Sequence, residues 1–272
     1  MNNYKEVDIK VDDTVQGEML IALLAEQGYE GFEEREGSLR AYVSADNYNA
    51  DTLASLLGTH NLGYTVDELV EQNWNESWEK NFDPIVIDGF CAVRADFHKA
   101  YTDIAHEIII TPKMSFGTGH HATTQLVIMQ MQKLDISGRH VLDFGTGTGI
   151  LAILAEKMGA ANVLAIDNDN WSYENAIENV SKNNCHVIAV KLCTLDDIPV
   201  QKYDLIIANI NRHILLQYLA IMRAMLVDVG TLIISGILKT DEELMITACK
   251  QQEFTILEVS EMNGWLAITA KK

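Results

Sequence analysis

The chain has 272 residues, 48% of them hydrophobic and 22% charged, enough for one large globular domain or a small one followed by a medium one. Its formal net charge of −19 argues against an extended nucleic-acid surface, because phosphates would be repelled, and no direct nucleic-acid binding is expected. No apolar run approaches the roughly 20 residues that span a bilayer. The N-terminal "MNNYKEVDIKVDD" shows no secretory pattern, and Cys91, Cys185, Cys193 and Cys249 are scattered without a C-x-x-C pair. A cytoplasmic protein with reduced thiols and no membrane partner is expected.

In chain order, "YKEVDIKV" alternates like a strand, and Asp13 or Thr14 can cap the helix behind it. Met19, Leu20, Leu23 and Leu24 make one apolar stripe on that helix before Gly28 stops it. "YEGFEER" and "SLRAYVS" read as strands joined at Glu36-Gly37, "NADTLASLL" as a second helix and "GYTVDELV" as a last strand. The order βαββαβ predicts a small ferredoxin-like α+β domain over residues 1–70. This stretch holds 14 Asp and Glu against 4 Lys and Arg, a net of −10, so about half the total charge sits in a quarter of the length. A solubilising face and a surface shaped for a basic partner both fit that excess.

Residues 71–100 read as a linker helix and connecting strands. "NWNESWEKNF" sets Trp74 and Trp78 on one helical face for packing between domains, and short strands follow around "PIVID", "FCAVRA" and "HEIIIT". A helix from about Thr123 to Leu134 comes next. Strict alternation then sets in: strands "HVLDF", "NVLAID", "HVIAV", "YDLIIANI" and "GTLIISG", with helices between them, and a terminal pair "FTILEVSE" and "GWLAITAKK". The strands are continuous apolar runs, as a sheet covered on both faces requires. Residues 101–272 therefore read as a doubly wound α/β domain, similar to the seven-stranded, Rossmann-like methyltransferase fold.

The chemistry-bearing residues lie at strand ends. In "VLDFGTGTG" a buried strand ends at Asp143 and turns through Gly145, Gly147 and Gly149 into a helix, where backbone N–H groups meet a ligand closely. The spacing is G-x-G-x-G, unlike the G-x-G-x-x-G of pyrophosphate sites. Asp167 closes the next strand, 22 residues beyond Gly145, where a carboxylate can accept both ribose hydroxyls. Asp169 suits an N-cap better. Asn209 ends "YDLIIAN", and Asn211 is a rival candidate that can simply cap the next helix. The tetrapeptide Phe-Gly-Thr-Gly occurs 28 residues earlier as well, in "SFGTGHHATT" (Ser115 to Thr124). No 28-residue unit recurs around it, and adjacent His120 and His121 make a weak metal site, so no metal is expected. It reads as a second glycine loop covering the same nucleoside.

Together "NWNESWEKNFDPI", "TPKMSFGTGHHATTQL", "VLDFGTGTGILAILAEKMGAANVLAIDNDN" and "YDLIIANI" resemble the ribosomal protein L11 methyltransferase family, from about Trp74 to the C-terminus. The resemblance implies a ferredoxin-like substrate-recognition domain, a linker helix and a seven-stranded catalytic domain. It implies S-adenosylmethionine as methyl donor and co-substrate, the basic ribosomal protein L11 as partner, and trimethylation of its N-terminal α-amine and lysine side chains. The family's donor-binding residues fall on Thr124, Gly145, Asp167 and Asn209, and no general base is assigned. His120 stands where the family usually has Thr, Ala122 where it has Pro, and Thr-Pro-Lys where it has Asp-Pro-Gly before Met114. Two other readings use the same residues: an NAD(P)-dependent oxidoreductase, and a non-catalytic adaptor that binds S-adenosylmethionine as a sensor.

Overall fold

The structure is a computed structural model that describes residues 4–11, 14–25, 27–29, 31–35, 37–45, 47–60, 62–69, 82–111 and 117–272. The chain divides into two compact units, Met1–Ser77 and Trp78–Lys272.

The first unit follows the predicted order with β1 (Tyr4–Lys10), α1 (Thr14–Ala25), β2 (Gly31–Arg35), β3 (Ser38–Ser44), α2 (Ala50–Thr59) and β4 (Tyr64–Leu69). Its sheet is antiparallel in the order β2-β3-β1-β4. Each β-α-β half leaves a gap that a strand of the other half fills, the ferredoxin-like arrangement. Alternation selects the inner face: Leu39, Ala41 and Val43 of β3 are buried with Val7 and Ile9 of β1. Leu20 and Leu24 of α1 cover them, while Met19 is 39% exposed. The helix meets the sheet along one i, i+4 line, which leaves Met19 beside the contact. Asn49 caps α2 by accepting the Thr52 N–H at 3.0 Å. The predicted linker helix with Trp74 and Trp78 lies outside the described residues.

In the second unit, β5 (Ile85–Ile87), β6 (Cys91–Arg94) and β7 (His106–Ile109) form a three-stranded sheet. The alternating part comprises α3 (Ala122–Met131), β8 (His140–Phe144), α4 (Ile150–Lys157), β9 (Asn162–Asp167), α5 (Asn170–Lys182) and β10 (Ile188–Leu192). It continues with β11 (Tyr203–Asn209), α6 (Arg212–Met225), β12 (Leu226–Leu238), α7 (Glu242–Gln251), β13 (Thr255–Met262) and β14 (Trp265–Lys271). The seven strands run in the order β10-β9-β8-β11-β12-β14-β13. The first five are parallel, and β14 pairs antiparallel with both its neighbours.

Both sheet faces are covered, which explains the unbroken apolar strands. Val141, Leu205, Ile207 and Ile233 pack on one face with α3 and α4. Leu142, Ile206, Ala208, Leu232 and Ile234 pack on the other with α6 and α7. β12 begins four residues earlier than predicted, because Leu226 already pairs with Tyr203 ahead of a register shift. The strand order reverses between β8 and β11, and in open sheets of this kind a ligand crevice opens at the carboxyl ends beside that reversal. Among the described residues, no helix is long and apolar enough to cross a membrane.

Candidate active site

Three strand ends meet at that reversal. β8 carries the chain into the turn through Gly145, which has φ +77°. A Cβ there would lie 2.2 Å from Ile210 Cγ2. A Cβ at Gly236, near the end of β12 at φ +84°, would lie 2.2 Å from the Ile210 carbonyl oxygen. Two glycines thus make room for the turn that follows Asn209, and any side chain at either would push that turn aside.

Asp167 closes β9, and its carboxylate is tied to the glycine turn. One oxygen accepts the Gly147 N–H at 2.9 Å and the other accepts the Asp169 N–H at 3.0 Å. Asp169 caps α5, accepting the Ser172 N–H at 2.8 Å, as the spacing predicted. Asn209 closes β11 and is 8% exposed; its amide N–H donates to the Thr124 hydroxyl at 3.4 Å, and its Oδ1 is buried without a partner. Thr124 is fully buried behind it and does not line the open space, whereas His121 and Thr123 do. Asn211 stands at the N-cap position of α6, but its side chain makes no capping bond; it faces the cleft instead.

The resulting cleft measures about 750 Å³, within the range of small-molecule sites. Phe144, Gly145, Gly147 and Asp167 form one wall and Asn209, Gly236 and Trp265 another. The Phe144 ring meets Tyr218 edge to face at 5.4 Å, and the Tyr218 hydroxyl donates to Asp196 at 2.6 Å. Among the described residues lining the cleft, Asp167 is the only carboxylate and none is Lys or Arg. Such a lining favours a ligand with a cationic centre over an anionic one.

The first Phe-Gly-Thr-Gly segment touches the residue that follows the second. Residues 112–116 lie outside the described residues, but from Gly117 onward the first segment is in place, and the Thr148 hydroxyl donates to the Gly117 carbonyl at 2.6 Å. The adjacent histidines turn to different partners. His120 packs edge-on against Phe82 at 4.9 Å, with Nε2 2.9 Å from the Asp83 carbonyl oxygen. His121 caps α3 through the Thr123 N–H and packs edge-on against Trp265 at 4.9 Å. Among the described residues, no group of three or more His, Cys, Asp or Glu could hold a metal ion.

Beneath the glycine turn lies Asp143, fully buried. One of its oxygens accepts the Thr146 hydroxyl at 2.6 Å and the other has no partner. Burial pushes its carboxyl up to about 7, and the nearby negative charge of Asp167 adds to the rise. Sequence reasoning passed over Gly236, His213, Tyr218 and Trp265, all of which line the cleft. A glycine near the end of "GTLIISG" was a usable signal for Gly236. Trp265 had none, since it reaches the cleft from a strand far along the chain.

A seven-stranded sheet of this order, with a glycine turn after its first strand, an acid ending the second and an amide ending the fourth, defines the seven-stranded methyltransferase class. The comparisons refine the class. Residues 6–272 match the family model of Ribosomal protein L11 methyltransferase (PrmA). The Ribosomal protein L11 methyltransferase of Porphyromonas gingivalis is 43% identical over 260 residues, covering 92% of this chain and 89% of the relative. That of Chlorobaculum parvum is 35% identical over 281 residues, covering 98% and 96%. The crystal structure of ribosomal protein L11 methylase from Lactobacillus delbrueckii subsp. bulgaricus superposes with a TM-score of 0.64 at 31% identity, covering 70% of this chain and 98% of that one. The chain belongs to the ribosomal protein L11 methyltransferase family, whose members are S-adenosylmethionine-dependent protein methyltransferases. The oxidoreductase and adaptor readings give way to it.

Proposed function

We propose that the protein transfers methyl groups from S-adenosylmethionine to the N-terminal α-amine and lysine ε-amines of ribosomal protein L11, in the cytoplasm. Asn209 carries the reading. A buried amide whose oxygen has no partner is costly unless a ligand supplies a donor, and an amine N–H is such a donor. The remaining residues fit the methyl donor. The turn at Gly145 and Gly147 suits its amino-acid tail, and Asp167 suits its ribose hydroxyls. Thr124 contributes by holding the Asn209 amide.

When bound, S-adenosylmethionine supplies a methyl group already activated by its sulfonium. The protein's part is then mostly orientation. The attacking amine must be neutral, which is harder for a lysine near pKa 10.4 than for an α-amine near 7.7–8.0. The Asn209 oxygen would accept one amine N–H and so orient the attacking nitrogen. Trp265 and His121, packed edge-on at 4.9 Å, line the same cleft. We assign no general base.

The N-terminal unit is proposed to recognise the substrate. The net charge of −10 over its residues 1–70 complements a basic protein. The direct test is incubation with radiolabelled S-adenosylmethionine and a pool of unmodified ribosomal proteins. Label on the L11 band is expected; label on any other band, or none, contradicts the reading.

A further inference from the structure

The helix after Asp167 carries a feature that the donor reading does not use. Asn175, Asn179 and Asn183 repeat every fourth residue along α5, on one face, and all are buried, at 0%, 0% and 8% exposure. Three buried amides need partners. Asn183 treats β7 as a neighbouring strand: its Oδ1 accepts the Ile109 N–H at 2.9 Å and its Nδ2 donates to the Ile109 carbonyl at 2.6 Å.

Asn179 does something different. Its Oδ1 accepts the Thr111 N–H at 2.8 Å, while its Nδ2 donates to the Thr148 carbonyl at 2.8 Å and to Asn175 Oδ1 at 2.8 Å. Thr148 is therefore held twice. Its carbonyl is bound by Asn179 and its hydroxyl by the Gly117 carbonyl. Thr111 and Gly117 flank the start of the first glycine segment; Thr148 belongs to the second. Asn179 thus joins Thr111 to Thr148, which in turn bonds Gly117, 31 residues away in sequence, and Glu178 and Lys182 of the same helix hold the Thr111 hydroxyl beside it.

We infer that Asn179 is a positioning residue for the donor pocket, setting the second glycine loop, through Thr148, against the chain at Thr111 and Gly117. The inference rests on the proposed donor site. Gly147 precedes Thr148, and its N–H holds the Asp167 carboxylate. A shift at Thr148 therefore moves the Asp167 oxygens as well as the glycine turn. Asn183 ties the same helix to β7 and also donates to the Asn179 backbone carbonyl at 2.8 Å, but it bonds neither loop and leaves the Asn179 side chain's own partners in place, which makes it the internal control.

The test is S-adenosylmethionine titration by calorimetry, with thermal unfolding in parallel, on the full-length chain. Asn179→Asp keeps the acceptor for Thr111 but loses the donor to both the Thr148 carbonyl and Asn175 Oδ1, so binding weaker by about tenfold or more is expected. Thr148→Val, which loses the hydroxyl bond to Gly117, should weaken binding too, and Thr148→Ser should restore it. Asn183→Ala should lower the Tm yet keep donor affinity within about twofold. Hydrogen exchange on the wild-type chain needs no variant: adding donor should slow the Thr111 amide together with that of Gly147. Wild-type affinity in Asn179→Asp overturns the inference. So does an equal affinity loss in Asn183→Ala, or a Thr111 amide indifferent to donor. A wild-type chain that takes no S-adenosylmethionine overturns the donor reading itself, and this inference with it, so the two failures are told apart.

Discussion

The two units of this protein bury different things. Among the described residues of the N-terminal unit, every buried side chain is apolar or is Tyr29. The second unit buries polar side chains as well, some of them elsewhere, such as Arg94, Gln130, Thr231 and Thr269, and a group at the glycine loops that includes Thr123, Thr124, Asp143, Thr148, Asn175, Asn179 and Asn209. An apolar core needs only area and shape, and it specifies a fold without specifying a ligand. Buried polar groups are costly unless bonded, so the group gathered at the glycine loops marks a part of the molecule held in place for chemistry. Where partners are missing near these loops, at Asp143 Oδ1, Asn175 Nδ2 and Asn209 Oδ1, that cost is still being met by the rest of the fold.

Asp143 should break the contrast most visibly, through stability. Its carboxyl sits at about 7 in the folded chain against an ordinary 3.8. Between those values the native state keeps a proton that the unfolded chain releases. Stability should therefore fall as pH rises from about 4 to about 7 and level off above, by on the order of a few kcal/mol. Paired carboxylates such as Glu107, held below its usual range chiefly by Arg94, act with the opposite sign at lower pH. The difference between wild type and Asp143→Asn isolates the effect. Tm measured across pH should decline in the wild type relative to the variant; parallel curves would mean that Asp143 does not titrate there.

Asn209→Ala sharpens the contrast in catalysis. If the amide aligns the amine, kcat should drop about 100-fold, the cost of misplacing a reacting group, with a smaller change in donor affinity. Turnover and binding both unchanged would remove Asn209 from the site. Asp167→Ala should act on the donor, weakening binding by about 1.5–3 kcal/mol in calorimetry. A folded variant with full affinity would reassign the ribose contact.

Much of this division was legible beforehand. The βαββαβ unit was readable because its strands alternate, as in "SLRAYVS", and the parallel sheet because its strands do not. Gly145, Asp167 and Asn209 stood out as candidates because Asp167 and Asn209 close strands and Gly145 directly follows one, and strand ends are where this fold gathers ligands. The asparagines of "NAIENVSKNN" did not, since a polar helix face looks solvated until β7 and the glycine loop are brought against it. Asn179 finds its partners at Thr111 and Thr148, 68 and 31 residues away. Met19 and Asn211 show the same limit from the other side. Periodicity and position were right, but which side chain meets a neighbour depends on packing that no local pattern encodes.

The smallest effect is expected on the N-terminal surface. Glu33 and Glu68 are exposed and paired with Arg35 and Lys5, and such pairs contribute little to stability. Reversing both to Lys should raise KM for the ribosomal protein several-fold at low salt and leave donor affinity alone. The difference should shrink as the Debye length falls from about 10 Å at 0.1 M to about 3 Å at 1 M. A KM indifferent to charge and salt would leave the acidic face as a solubilising one.

The division of labour is tested most directly by titrating S-adenosylmethionine into a fragment beginning at Trp78, where the second unit starts. Circular dichroism would first establish that it folds, and its methylation of ribosomal protein L11 would be followed alongside. Every group assigned to the donor lies beyond residue 110 in the sequence. The fragment should bind donor as the full chain does, within about twofold, and lose most of its activity on the protein substrate. A folded fragment that fails to bind donor, or that methylates ribosomal protein L11 at the full-length rate, would contradict the account.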